Sequence, residues 1–178
     1  MTPVSRIFLI GARGSGKTTT ARLLARKLGW DWLDLDVYLE EKAAKTIREI
    51  VGTEGWDKFR DLESRALRSA INEREEAHLV IATGGGVILR KANRDFMTAN
   101  GAVVWLKADA PCLTARLAAA PAADQRPPLT NLEMEEEIRA ILKEREPLYL
   151  ECARHIANAE NPPEQVCENI AKILRIPS

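Results

Sequence analysis

Gly11-Ala12-Arg13-Gly14-Ser15-Gly16-Lys17-Thr18, directly after the apolar run Ile7-Phe8-Leu9-Ile10, is the stretch that decides the fold. It fits the phosphate-loop pattern G-x-x-x-x-G-K-[ST], and it sits between a predicted strand and an amphipathic helix, the setting that gives the pattern its meaning. Glycines let the backbone wrap a phosphate, so that successive N–H groups and the positive helix end point at it. Lys17 adds a point charge at the β- and γ-phosphates, and Thr18 offers a hydroxyl to Mg²⁺. A GTPase would also carry [NT]-K-x-D after a later strand. The nearest stretch, Leu106-Lys107-Ala108-Asp109, lacks the Asn or Thr and reads as a surface charge cluster.

Outward from this loop, apolar and β-branched runs at residues 7–10, 32–35, 79–82, 103–106 and 155–157 alternate with helical periodicity. Such alternation predicts an α/β fold with a parallel sheet covered by helices on both faces. Leu23, Leu24 and Leu28 line one face of the first helix, which Gly29 is expected to end. Further helices are predicted over 56–74, 91–99, 111–119, 133–145 and 163–174. Residues 1–178 are read as one domain, with a helical insertion at about 37–76 and a segment at about 118–132 whose Pro127-Pro128 pair excludes helix. A structureless stretch of that length is either a lid or a disordered segment.

Composition narrows the function. Lys plus Arg number 26 and Asp plus Glu 26, a formal net charge of zero, so no basic surface for nucleic acid is expected. The 178 residues, 46% apolar and 29% charged, suit a folded soluble protein. No apolar run approaches a membrane span, and the N-terminus lacks a signal-peptide pattern, so a cytoplasmic protein without membrane contact is expected. Cys112, Cys152 and Cys167, widely spaced, read as reduced structural thiols.

Asp34-Leu35-Asp36 closes the second predicted strand, and residues two apart on an extended segment share a side, roughly 7 Å apart. At the C-terminal edge of a parallel sheet, one carboxylate could hold Mg²⁺ through water while the other grips or deprotonates an acceptor hydroxyl. The bland alternative is a pair of loop carboxylates or a helix N-cap. Thr83-Gly84-Gly85-Gly86 leaves bare backbone at the same edge, either for close approach to a ligand or as a tight turn.

With these pieces in place the chain resembles the shikimate kinases over nearly its whole length. The matching segments, in family order, are GARGSGKTT (11–19), LDLD (33–36), FRDLE (59–63), ATGGGVIL (82–89), DQRPPL (124–129) and EREPLY (144–149). DQRPPL and NPPEQV (161–166) resemble the second of the two types found in enteric bacteria. The resemblance implies a five-stranded sheet in the order 2-3-1-4-5 and ATP-dependent phosphorylation of the 3-hydroxyl of shikimate, a step of aromatic amino-acid biosynthesis.

It also implies roles. Gly14, Ser15, Gly16, Lys17, Thr18, Thr19, Arg116, Arg126 and Pro162 would bind ATP, with Arg116 stacked on the purine and Asn161, Pro162 and Pro163 walling the adenine. Thr18 and Asp34 would hold Mg²⁺. Asp36 would take the acceptor's hydroxyls, Arg60 and Arg145 its carboxylate, and Gly84, Gly85 and Gly86 would line its site, with Gly85 making a backbone contact. Lys17, Asp36 and Arg126 would be catalytic, Arg126 swinging in with the lid as an in-chain arginine finger. A monomer is expected. Family members commonly carry an acidic residue after the last strand, where this chain has Ala157 and Asn158.

Each arginine has a plain alternative: Arg60 and Arg145 as helix-surface residues paired with Glu63 and Glu144, Arg126 as loop decoration. Trp56, four residues before Arg60, shares its helical face and either borders the acceptor or anchors the core. The rival functions are a gluconate or nucleoside monophosphate kinase, and a non-catalytic nucleotide-binding module.

Overall fold

The computed structural model describes residues 4–74, 78–119 and 133–176. Its sheet has five strands, β1 (Arg6–Ile10), β2 (Asp31–Asp34), β3 (Leu79–Ala82), β4 (Ala102–Lys107) and β5 (His155–Asn158). Their order is β2-β3-β1-β4-β5 and every pairing is parallel. Alternation along the central strands divides the core. Ile7, Leu9, Val80, Val104 and Leu106 pack under α1 (Lys17–Leu28), α5 (Ala110–Ala118) and α7 (Pro163–Leu174). Phe8, Ile10, Ile81, Val103 and Trp105 pack on the other face with α2 (Leu35–Ala43), α3 (Ile47–Asn72), α4 (Lys91–Asn100) and α6 (Met134–Cys152). Gly29 ends α1 in the left-handed conformation, φ 67°, as its place in the sequence predicts.

Three elements depart from the sequence reading. Strand β2 stops at Asp34, and Leu35 opens α2, whose Leu35, Tyr38 and Leu39 are buried at helical spacing. Trp32 is exposed on this edge strand, so the Trp32-Leu33-Asp34-Leu35 alternation reads as a longer strand than the backbone forms. Helix α3 begins at Ile47, nine residues before the predicted start. Thr46 and Glu49 form a reciprocal capping box there, and Gly55, at φ 83°, kinks the helix before Trp56. Helix α6 runs on through Pro147 to Cys152. Pro147 has no N–H to donate, yet the turns beyond it are held because Tyr149 and Cys152 are buried in the core.

Cys152 and Cys167 are buried free thiols, and desolvation pushes each up to about 11, which makes them poor nucleophiles. Among the described residues no helix is long and apolar enough to cross a membrane. The segment expected to form a lid, with Arg126, lies outside the described residues apart from its first two positions.

Candidate active site

A cleft of about 1150 Å³ opens at the C-terminal edge of the sheet. It is lined by the phosphate loop, the start of α2, α3, the glycine turn after β3, and α6. On the nucleotide side Gly14, Gly16, Lys17, Thr18 and Thr19 lie along it, whereas Ser15 is buried beneath the loop. The Lys17 ammonium donates to the carbonyls of Gly11 at 2.9 Å and Ala12 at 2.8 Å, which hold it over the loop. Arg116 reaches across from α5 and donates to Gly14 O at 3.4 Å and Ala159 O at 2.7 Å. That clasp brings the segment before α7, with exposed Pro162 at its cap, beside the loop.

Asp34 does two things at once. Its Oδ1 accepts from the backbone N–H groups of Asp36 at 3.0 Å and Val37 at 3.4 Å, capping α2, and its Oδ2 accepts from the Thr18 hydroxyl at 2.6 Å. The N-cap reading and the metal reading are therefore compatible. Asp34 and Asp36 do face one cleft, through a strand-to-helix corner rather than a continuous extended segment. The Thr18–Asp34 oxygen pair suits Mg²⁺, which takes few protein ligands and completes its shell with water and phosphate oxygens. No cluster of three or more acidic, His or Cys side chains able to hold a metal occurs among the described residues.

The side of the cleft away from the phosphate loop is built around the glycine turn. Helix α3 brings Arg60 to it, and Arg60 pairs with Glu63 at 2.8 Å. This is the neighbour the sequence offered for a surface pair, but Glu63 is only 1% exposed and Arg60 stands between it and the cleft. A Cβ on Gly84 would stand 2.5 Å from Glu63 Oε1 and 2.9 Å from Asp36 Oδ1, and one on Gly86 would collide with the Arg60 guanidinium. At both positions a side chain would have to displace the Glu63 and Asp36 carboxylates or the Arg60 guanidinium, which fill the space that glycine leaves. Gly85 turns its carbonyl to α6 and accepts from Arg145 at 3.1 Å and from the Tyr149 hydroxyl at 3.3 Å. Arg145 is 8% exposed, and its Nε has no hydrogen-bond partner among the described residues. Burial raises the Tyr149 hydroxyl to about 12, so it remains a donor at any working pH.

Two arginines thus flank one glycine turn, with two carboxylates behind it. Trp56 lines the same cleft, its ring 5.5 Å from the Arg60 guanidinium and edge-on to Phe59 at 5.8 Å. Sequence reasoning missed Glu63 as part of the site and gave Tyr149 no role. The spacing of FRDLE, with Arg and Glu three apart on a helix, held the signal for the first.

Comparison with known proteins agrees with this geometry. The family model described as shikimate kinase matches residues 13–175. "Shikimate kinase 2" of Sodalis glossinidius is 48% identical over 168 residues, 94% of each chain. "Shikimate kinase 2" of Dickeya chrysanthemi is 42% identical over 172 residues, 97% of each chain. The solved structure of shikimate kinase from Acinetobacter baumannii in complex with shikimate superposes with a TM-score of 0.88 at 33% identity, covering 98% of this chain and 94% of that one. A phosphate loop, arginines and carboxylates gathered at one glycine turn, and likeness along nearly the whole chain lead to one conclusion: the chain belongs to the shikimate kinase family.

Proposed function

We infer that this chain transfers the γ-phosphoryl group of ATP to the 3-hydroxyl of shikimate, giving shikimate 3-phosphate and ADP. The observation that carries the reading is the pairing of a phosphate loop with Arg60 and Arg145 around one glycine turn in a single cleft. A planar carboxylate takes two guanidinium groups, and the hydroxyls of the same small molecule then fall toward Asp36. Gly84, Gly85 and Gly86 shape this acceptor side, as the residues around them indicate. The acceptor oxygen attacks the γ-phosphorus, the bond to the β-bridging oxygen breaks, and the hydroxyl proton passes to Asp36. Lys17 meets the charge developing on the phosphoryl oxygens, and Arg126 of DQRPPL adds a second cation there.

Residues 14–19, with Arg116 and Pro162, hold ATP in this reading. Thr18 and Asp34 hold Mg²⁺, which when bound neutralises phosphate charge. The assignment extends to one domain over 1–178, an acceptor-binding insertion at about 37–76, a lid at about 118–132, and a cytoplasmic monomer. Three free thiols support a reducing compartment. Coupled ADP release should rise with shikimate and stay at background with gluconate or a nucleoside monophosphate. Release driven equally by either alternative acceptor would overturn the reading.

Asp34→Asn keeps an oxygen to cap α2 but loses the charge that Mg²⁺ needs. Its turnover should fall and then recover in part as Mg²⁺ is raised, measured as a Mg²⁺ titration of initial rate. A profile identical to wild type would remove Asp34 from the metal site.

Shikimate alone should change intrinsic fluorescence saturably, with most of the change lost in Trp56→Phe, because Trp56 stands over Arg60. Trp105 stacks on Tyr149 at 5.2 Å behind Gly85 and should contribute the remainder, while Trp30 and Trp32 lie at the sheet's edge. An undiminished response in Trp56→Phe would make Trp56 a core anchor only.

A further inference from the structure

The residues that follow the glycine turn form a brace that the reaction itself does not call for. The turn continues into a short 3₁₀ segment, Val87–Leu89, and then α4. Two adjacent α4 residues reach back to its carbonyls. Asn93, fully buried, donates from Nδ2 to Val87 O at 3.1 Å, and Arg94, 8% exposed, donates to Ile88 O at 2.7 Å and Leu89 O at 3.4 Å.

Each is tied outward to a different helix. The Oδ1 of Asn93 accepts from Arg68 of α3 at 3.3 Å, and Arg68 also donates to Ala92 O at 3.3 Å and Ser64 O at 2.7 Å. The other arm of Arg94 meets both carboxylate oxygens of Glu151 of α6, each at 3.1 Å. Arg90, at the head of α4, adds a second tie to α3 through Asp61 at 2.7 Å and Ser64 Oγ at 3.3 Å.

The helices so joined are those carrying the two arginines of the acceptor side, Arg60 on α3 and Arg145 on α6. The Arg94 arm closes a ring from Gly85 through Arg145 and Tyr149 to Glu151, and through Arg94 back to the 3₁₀ segment that follows the turn. A planar carboxylate held by two guanidiniums is sensitive to their separation, and side chains locked by packing and outer hydrogen bonds hold such separations. We propose that Asn93 and Arg94, with Arg68 and Glu151 as their outer partners, are positioning residues that set the spacing of Arg60 and Arg145 and so determine affinity for the acceptor's carboxylate. This rests on the assignment of Arg60 and Arg145 to that carboxylate.

The outer partners give the cleanest test. Glu151 is half exposed and Arg68 partly so, whereas Asn93 and Arg94 are buried and their truncation risks the fold. Glu151→Ala and Arg68→Met should each raise the KM for shikimate about tenfold, with kcat and the KM for ATP within about twofold of wild type. Glu151→Gln, which keeps an acceptor for Arg94, should restore part of the affinity. For the analogue whose carboxylate is reduced to a primary alcohol, the same variants should cause no further loss of binding in calorimetry. Equal loss for both ligands, a fall in kcat matched by both KM values, or an unchanged KM for shikimate would overturn the positioning role. Arg145→Lys distinguishes the two levels. If it leaves the KM for shikimate unchanged, the carboxylate assignment itself fails, and if it raises that KM while Glu151→Ala does not, only the brace fails.

Discussion

Lys17→Met is expected to lower turnover by about a hundredfold to a thousandfold with the fold intact, the loss typical of removing one preorganised donor to transition-state charge. The Lys17 ammonium is held over the phosphate loop by two carbonyls, Gly11 O at 2.9 Å and Ala12 O at 2.8 Å. Its position is therefore set before nucleotide arrives, and little reorganisation is needed when charge grows on the phosphoryl oxygens. Lys17 itself lines the open cleft, so water can enter where the ammonium stood in the variant. Melting temperature should shift by no more than a few degrees. Rapid-quench single turnovers on saturated enzyme isolate the chemical step, and an unchanged rate there would separate Lys17 from catalysis.

The second large effect belongs to Asp36. Asp36→Asn is nearly isosteric, and the N–H that anchors its backbone to Asp34 is untouched, so α2 should stay capped. An amide cannot take the acceptor's proton, and turnover should fall by about two to four orders of magnitude. Unlike the loss at Asp34, it should persist at every Mg²⁺ concentration. The space around Asp36 is tight, since its Oδ1 lies 2.9 Å from where a Cβ on Gly84 would be. Recovery of the Asp36→Asn rate by Mg²⁺ would mean that the two aspartates share the metal and that the division of labour between them is wrong.

The two arginines at the glycine turn illustrate how differently neighbouring parts of one site can be read. Arg60 next to Glu63 looks the same in sequence whether the pair is solvated or buried, because spacing three apart on a helix is compatible with either. Glu63 is buried, and Gly84 and Gly86, more than twenty residues away, leave the room that Glu63 and Arg60 fill. For Arg145, the helix predicted over 133–145 would end at that residue, yet α6 continues through Pro147 because Tyr149 and Cys152 have the core to pack against.

What the amino-acid sequence by itself determined was local or periodic: the phosphate loop, the strand–helix alternation and the stop at Gly29. Each depends on the backbone hydrogen bonding and side-chain direction of residues within a few positions of one another, so spacing alone carries the information. The corner that turns Asp34 into the cap of α2 and the capping box of Thr46 with Glu49 were also written locally, but were masked by an edge strand and by glycines at 52 and 55. Only the tertiary structure decided that Glu63 is buried, that the glycines make room for side chains, and that Gly85 accepts from residues 60 and 64 positions away. The same holds for the joining of α3 and α6 through Asn93 and Arg94. These are pairings across the fold, whose partners are chosen by which helices the parallel sheet brings to one edge, and no periodicity along the chain encodes that choice.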